Sequence, residues 1–442
     1  MKEIFKKIVV VILTLEARLM LARNKPRIIG VTGSVGKTST KDLIYTVVSS
    51  AYSARKNEKS LNSEFGVPLT ILNLKSAWNS LVGWLINLGF GLWRAIILNS
   101  QFIVQYLVLE IGADHPGDIK SLVSWLKPEI GVLTGFGNEV PVHIEFFPTI
   151  GDLVREKSEL LKALPEDGTA IINHDDERAW EAREVTEAKV LSYGFNENSD
   201  VHGDNFHISY ENDLPKGVNF RVDYAGKSVP VRLCGVLGNG VAYSALAAFA
   251  VGTTQAINVV SIAEALGSHL FAPGRMKILK GINHSILIDD TYNSSPTAVK
   301  LALDTLHDLN TETRFRNPVS VCRKIAVLGD MMELGEYSEQ EHKKVGTWVR
   351  GIADVLVCVG ERAKLIGKGA INDGFEKNNV HELSNSQEAG KFLVGFVKEG
   401  DIVLLKASQS IRLERATEQL LADPTKASEL LVRQEKEWKE IN

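Results

Sequence analysis

The hydrophobic positions of this chain fall into short continuous runs separated by segments of helical spacing. Arg27-Ile28-Ile29 is a short β-branched run, and Asp42-Leu43-Ile44-Tyr45-Thr46-Val47-Val48 carries the apolar period of a helix. Tyr106-Leu107-Val108-Leu109-Glu110 is almost wholly apolar and ends in a carboxylate, as a central parallel strand covered on both faces does. Thr149 to Leu164 reads as a helix with Thr149 and Asp152 at its start and an apolar stripe through Leu153, Val154, Leu160 and Leu161. Strand signals return at Ser285-Ile286-Leu287-Ile288, Lys324-Ile325-Ala326-Val327-Leu328, Val355-Leu356-Val357-Cys358-Val359 and Ile402-Val403-Leu404-Leu405. A helix between them starts at Ser295, the N-cap, with Pro296 in the first helical position. Strand and helix alternate, which predicts an α/β fold built on mostly parallel sheets.

Two segments depart from this rhythm. At the start, Lys2, Lys6 and Lys7 precede Ile8-Val9-Val10-Val11-Ile12-Leu13, with Glu16, Arg18 and Arg23 soon after. The apolar run is too short to cross a bilayer, so a basic amphipathic helix is expected, lying on a membrane surface or against the protein. From Ser76 to Trp93 there is no charge, and Trp78, Trp84, Phe90 and Trp93 are set among Leu and Ile. Leu81, Trp84, Leu85, Leu88 and Leu92 follow helical spacing, while Asn87, the three glycines and Arg94 argue against a spanning helix. An interfacial or surface-packing helix follows, and with it the expectation of peripheral membrane contact. Pro26 and the Pro273-Gly274 pair suggest the divisions: an N-terminal helix over 1–25, a central domain over 26–271 with a Trp-rich insertion at 76–102, and a C-terminal domain over 272–442.

Composition changes this picture little. A chain of 442 residues is too long for one compact core, and 44% hydrophobic with 24% charged residues is ordinary for a globular protein. A formal charge of −4 gives no electrostatic reason to invoke nucleic acid. Cys234, Cys322 and Cys358 are far apart and without metal-type spacing, so they read as buried small hydrophobes in a reducing compartment.

Chemistry enters after the first run. Gly30-Val31-Thr32-Gly33-Ser34-Val35-Gly36-Lys37-Thr38-Ser39-Thr40 stands between a strand and a helix start, the arrangement that cradles phosphate. Backbone amides of Gly33, Ser34, Val35, Gly36 and Ser39 face the anion, Lys37 reaches the β/γ-phosphates, and the Thr38 hydroxyl can ligate Mg²⁺. A flexible Gly/Ser turn is the alternative, and the flanking strand, helix and Lys-Thr pair disfavour it. The fold class thus sharpens to a P-loop-type, mostly parallel central sheet domain followed by a smaller Rossmann-like α/β C-terminal domain. Glu110, at a strand's carboxyl end, is expected where ligands gather.

Lys157 falls inside the apolar stripe of its helix and so faces inward. Its stem could pack on the core with the ammonium reaching water. Burial could equally yield a neutral amine that is catalytic or takes up CO₂ as a carbamate, an anionic oxygen ligand. His143, in Pro141-Val142-His143-Ile144-Glu145, is open between a structural and a ligand role.

Together these stretches resemble the Mur ligase family, ATP-dependent amide ligases of cell-wall synthesis. The stretches are Gly30 to Thr40, Lys56 to Pro68, Leu109-Glu110-Ile111-Gly112-Ala113, Glu156-Lys157-Ser158-Glu159, Gly274-Arg275-Met276, Asp289-Asp290-Thr291-Tyr292-Asn293 and Leu328 to Gly335. The displaced glycine of the phosphate loop is the family's own form. The resemblance implies ATP as substrate and two Mg²⁺ ions, with Thr38, Glu110, His143 and a carbamylated Lys157 as metal ligands. It implies Lys37, Lys157 and His143 as catalytic residues, and nucleotide contacts from the loop, Arg275, Asp290 and Asn293. It is closest to members that add a D-alanyl-D-alanine dipeptide to a muramoyl-peptide precursor, through an acyl phosphate, in peptidoglycan synthesis that serves cell shape and division. A cytoplasmic monomer is implied, and the two apolar segments add the expectation of contact with the inner membrane face.

Three departures bear on this. Family members carry an N-terminal domain for the UDP group, whereas the phosphate loop here begins at Gly30, which keeps a lipid-linked substrate open. Gly238-Asn239-Gly240-Val241 lacks the expected His-Asn near adenine, and Lys406-Ala407-Ser408-Gln409 replaces Lys-Gly-Ser-Arg near the amine pocket. Other ligases of the same class, folylpolyglutamate- or cyanophycin-type, fit the Lys56 to Pro68 and Asp289 to Asn293 stretches less well. A P-loop NTPase coupling hydrolysis to movement, or a non-catalytic nucleotide-binding scaffold, remains the reading from a different class.

Overall fold

The computed structural model describes residues 2–58, 61–77, 80–97, 103–309 and 322–439. Lys59, Ser60, Trp78 and the end of the 76–102 insertion, all used in the sequence reading, lie outside the described residues.

Nine strands form the first sheet: β1 (Arg27–Thr32), β2 (Ala54–Lys56), β3 (Tyr106–Glu110), β4 (Ile130–Leu133), β5 (Thr169–Asn173), β6 (Lys189–Gly194), β7 (Val201–Glu211), β8 (Leu214–Tyr224) and β9 (Lys227–Cys234). Their spatial order is β2-β3-β1-β4-β5-β6-β7-β8-β9. The strands run parallel from β2 to β7, and β7, β8 and β9 continue as an antiparallel meander. β1 lies between β3 and β4, so the strand order reverses beside it, and a crevice opens at the carboxyl ends there. All five residues of β3 are buried, as its apolar run required.

The helix Lys37–Ser49 covers one face with Leu43, Ile44, Val47 and Val48, and Ile150–Lys162 covers the other with Leu153, Leu160 and Leu161. All seven are at most 1% exposed, so each removes its side chain from water at about 1.5–3 kcal/mol. Thr149 caps the second helix by accepting from the Asp152 amide at 3.1 Å.

The second sheet comprises β10 (Lys277–Lys280), β11 (Ile286–Asp290), β12 (Lys324–Gly329), β13 (Val355–Val359), β14 (Val380–Leu383) and β15 (Ile402–Lys406), in the order β10-β11-β15-β12-β13-β14. All pairs are parallel except the β10 edge. Ser295 caps the helix Pro296–Asp308 as its sequence predicted.

Two findings were not anticipated. The meander of β7 to β9 has no counterpart in the sequence reading, although Val229, Val231 and Leu233 alternate with outward residues. That alternation also corrects the reading of Cys234, which lies on the outward face of β9 and is exposed, whereas Cys322 and Cys358 are buried.

The helix Lys2–Asn24 packs against the helix Leu81–Ile96, burying Val9, Leu13, Ala17 and Met20. The second helix, capped by Ser80, buries Gly91 and Ala95 and packs Trp84 and Leu88 partly against the core. A Cβ on Gly91 would stand 2.1 Å from Glu16 Oε2, so the glycine is what lets the buried carboxyl fit. Among the described residues no helix is long and apolar enough to cross a membrane.

Candidate active site

The phosphate loop is braced from a neighbouring strand. Gly33 adopts φ 142°, and a Cβ there would stand 2.1 Å from Thr134 Oγ1, so only glycine passes. The amides of Ser34 and Val35 donate to the Gly135 carbonyl at 2.7 and 3.3 Å, so these two are turned to the neighbouring strand and not, as the sequence predicts, to the anion; Thr134 Oγ1 donates to the Val35 carbonyl at 2.6 Å. Asp176 in turn accepts from the amides of Phe136 and Gly137 at 2.8 and 2.7 Å, fixing the segment after β4. Gly36, at φ 79°, starts the helix Lys37–Ser49 without a side-chain cap, which leaves the first helical amides unclaimed by the chain's own side chains. Ser34 Oγ is buried with no hydrogen-bond partner among the described residues. A donor-rich turn at a helix N-terminus with an unspent hydroxyl is suited to an anion.

Carboxylate and hydroxyl meet at the loop's mouth. Thr38 Oγ1 donates to Glu110 Oε2 at 2.8 Å, and Asn62 Nδ2 donates to Glu110 Oε1 at 3.1 Å. Asn57 holds the Glu110 backbone from both sides, accepting from its amide at 2.8 Å and donating to its carbonyl at 2.9 Å. Lys37 stands half-buried on the cleft wall; desolvation lowers its pKa, the Glu110 carboxylate opposes that, and Arg275 adds to it. Lys157 is fully buried and donates to the Gly33 carbonyl at 2.8 Å. Burial, followed by the nearby Lys37 cation, holds its amine well below the usual lysine range. It stands behind the loop and is not among the residues lining the cleft. Its neighbour Glu156 accepts from the Gly117 and Ile119 amides at 2.8 and 2.7 Å, tying the Lys157 helix to the start of Asp118–Leu126.

His143 has φ 70°, and its Nδ1 lies 2.8 Å from Glu333 Oε2 and 3.9 Å from Asp114 Oδ1. The sequence-predicted ligands are thus only partly gathered: Thr38 and Glu110 touch, Glu110 and His143 line one cleft, and Lys157 lies behind it. Among the described residues no three His, Cys, Asp or Glu side chains form a metal-holding group.

The opposite wall comes from the second sheet. Asp290 accepts from the buried Lys406 at 2.5 Å and from the Met276 amide at 3.2 Å, and Lys406 also donates to the Asn293 carbonyl at 3.0 Å. The Arg275 guanidinium lies over the Tyr292 ring at 4.1 Å. Asp289 is buried, accepting from Thr291 Oγ1 at 2.7 Å and the Gly274 amide at 3.0 Å, and burial pushes its carboxyl up to about 7. The loop, Glu110, His143, Arg275, Asp290, Asn293 and Lys406 all face one cleft of about 1070 Å³. Glu333 reaches His143 on the cleft wall, and Lys344 pairs with Glu139 as a second link between the two sheets.

Sequence reasoning passed over the partners that set these groups. Thr134, Gly135 and Asp176 carry no motif of their own, and Asn57, Asn62 and Glu333 lie inside the family-like stretches with nothing local to mark their role.

The Mur ligase middle domain matches residues 31–82 and 96–252, and the Mur ligase glutamate ligase domain matches residues 274–409. The UDP-N-acetylmuramoyl-tripeptide–D-alanyl-D-alanine ligase of Mycobacterium leprae is 30% identical over 411 residues, covering 90% of this chain and 74% of that protein. Its Bacillus subtilis counterpart is 26% identical over 413 residues, covering 92% and 79%. In structure, the MurF ligase from Thermotoga maritima in complex with ADP aligns with a TM-score of 0.72 at 25% identity, over 95% of this chain and 84% of that one. MurF from Acinetobacter baumannii aligns with a TM-score of 0.74 at 24% identity, over 92% and 79%, a likeness of fold.

Proposed function

The chain belongs to the Mur ligase family of ATP-dependent, amide-bond-forming ligases, and from that premise we propose that it adds D-alanyl-D-alanine to a muramoyl-peptide precursor in peptidoglycan synthesis. The observation that carries the reading is the Thr38–Glu110 contact at 2.8 Å beside Lys37, in a cleft whose other wall holds Asp290 and Lys406.

The chemistry follows from charge. A carboxylate is a poor electrophile, so the acceptor first attacks the γ-phosphorus of ATP, the bond to the bridging oxygen of ADP breaks, and an acyl phosphate forms. Lys37 and the unclaimed amides at the start of the helix Lys37–Ser49 would offset the negative charge gathered at that phosphorus. The amine then attacks the acyl carbon, the tetrahedral adduct expels phosphate, and the amine's proton leaves to solvent or a base. Asp290, Asn293 and Arg275 would hold the nucleotide from the second sheet, and closure of the two sheets on each other would exclude water.

The donor set suits Mg²⁺ in part. Thr38 and Glu110 offer the hard oxygens it takes, with His143 on the same cleft, and bound metal would supply charge neutralisation at the phosphates. Lys157 as an amine does not suit it. A neutral Lys157 amine that added CO₂ and released a proton would carry a carbamate oxygen in its place, and its fully buried, lowered-pKa nitrogen supports that step. A cytoplasmic location, where ATP is supplied and the free cysteines stay reduced, completes the proposal.

Phosphate release with UDP-linked and lipid-linked muramoyl tripeptides, with and without D-alanyl-D-alanine, tests it. Release that needs both partners, with a product mass increased by the dipeptide, supports the ligase. Turnover without either substrate overturns it in favour of a nucleotide-driven switch.

A further inference from the structure

The helix Lys2–Asn24 is apolar on two opposite sides, and the fold uses only one of them. Val9, Leu13, Ala17 and Met20 are buried, while Ile8, Val11, Leu15 and Leu19 are 40–58% exposed along the other side. The neighbouring helix Leu81–Ile96 exposes still more of its apolar side chains. It turns Gly91 and Ala95 toward the protein, with Trp84 and Leu88 partly buried beside them, and leaves Leu85, Ile86, Phe90, Trp93 and Ile96 exposed. The two helices pack on each other, with Arg23 donating to the Ala95 carbonyl at 3.4 Å. Large side chains directed to water by two contacting helices form the kind of surface that a monomer buries against something else.

The charges around these rows name the partner. From Phe5 to Lys25 every exposed charge is a cation: Lys6, Lys7, Arg18, Arg23 and Lys25. Glu16, the acid within that span, is buried. Residues 65–109 contain no acid, and Lys75 there is exposed. This basic fringe stands on a chain whose net charge is −4. Two copies docking through the face would bring like charges together, whereas an anionic bilayer surface accepts both the apolar rows and the cations. Trp93 is of the residue type that settles at the headgroup level, and Phe90 of the type that interfacial helices place on their apolar face. Neither helix is long and apolar enough to span.

We propose that the solvent-facing sides of the helices Lys2–Asn24 and Leu81–Ile96 form a docking surface for an anionic lipid leaflet, on which the protein lies without crossing it. The inference does not depend on the ligase reading, because binding is measured without nucleotide or peptide.

Co-sedimentation of the full chain with phosphatidylcholine vesicles, with and without phosphatidylglycerol, tests it. Binding is expected at low salt to the phosphatidylglycerol vesicles, falling in high salt as the charges are screened. Lys7→Glu with Arg18→Glu should lower the partition coefficient by tenfold or more, taking roughly 1 kcal/mol per surface cation. Phe90→Glu should lower it similarly while leaving the thermal melt unchanged, since Phe90 is half exposed. No co-sedimentation at low salt, equal binding by the charge-reversed variant, or a dimer in solution that Phe90→Glu dissociates would each overturn the proposal. Because the wild-type measurement is decisive by itself, a variant that misfolds does not protect it. Failure here leaves dipeptide-dependent phosphate release intact, so the two readings fail separately.

Discussion

The Lys157 side-chain nitrogen lies 2.8 Å from the Gly33 carbonyl oxygen, inside the protein, at the residue where the phosphate loop leaves its strand. One buried amine therefore touches the backbone of the loop that would hold ATP. Lys157→Ala should abolish dipeptide-dependent phosphate release, and excess bicarbonate should not restore it. Lys157→Arg keeps a cation but cannot form the carbamate, so it should be equally inactive if that group is required. Near-normal turnover by either variant in a coupled phosphate assay would end the carbamate proposal.

Gly33→Ala tests the loop geometry directly. The added methyl would meet Thr134 Oγ1 in a backbone conformation that side chains rarely adopt. A loss of about 1–3 kcal/mol in folding stability is expected, read as a shift in the urea midpoint, together with weaker ADP binding by calorimetry.

The Thr38–Glu110 contact should matter to turnover more than to folding. Thr38→Val and Glu110→Gln should each lower kcat for phosphate release by about a hundredfold or more, with thermal midpoints near the parent's. A full-rate Glu110→Gln enzyme would remove this carboxylate from the proposed site.

Burial pushes the Glu16 carboxyl up from 4.5 to about 7. Between those values the folded chain holds a proton that the unfolded chain releases, so stability falls as pH rises. The helix Lys2–Asn24 should therefore dock best below the ordinary carboxylate value and loosen through about pH 7. Hydrogen exchange of its amides across that range checks this, and Glu16→Gln should flatten the dependence.

Much of the site could be read in one dimension because its residues sit inside single elements whose period fixes direction. The helical stripe turned Lys157 inward, and the apolar run ending at Glu110 placed that carboxylate at a strand's carboxyl end. What the sequence withheld are relations between distant elements. Glu333 reaches His143 from the second sheet, Lys406 crosses to Asp290 from β15, and Gly135 reaches the loop from the end of β4. No local period encodes such pairs. The β7–β9 meander escaped for another reason: its inward valines alternate with polar residues at a sheet's edge, a weaker signal than the long apolar runs beside it.

The bracing of the loop by Gly135, itself set by Asp176, has an evolutionary and engineering consequence. The loop's own residues leave little room for change, since Gly33 is hemmed in by Thr134 and Ser34 to Ser39 line the cleft. Asp176 has no such constraint, yet small shifts in how it grips Phe136 and Gly137 would move the carbonyl that aligns Ser34 and Val35. Nucleotide affinity can thus be graded from a position outside the cleft, where selection, or a designer, can adjust it without touching the reacting groups.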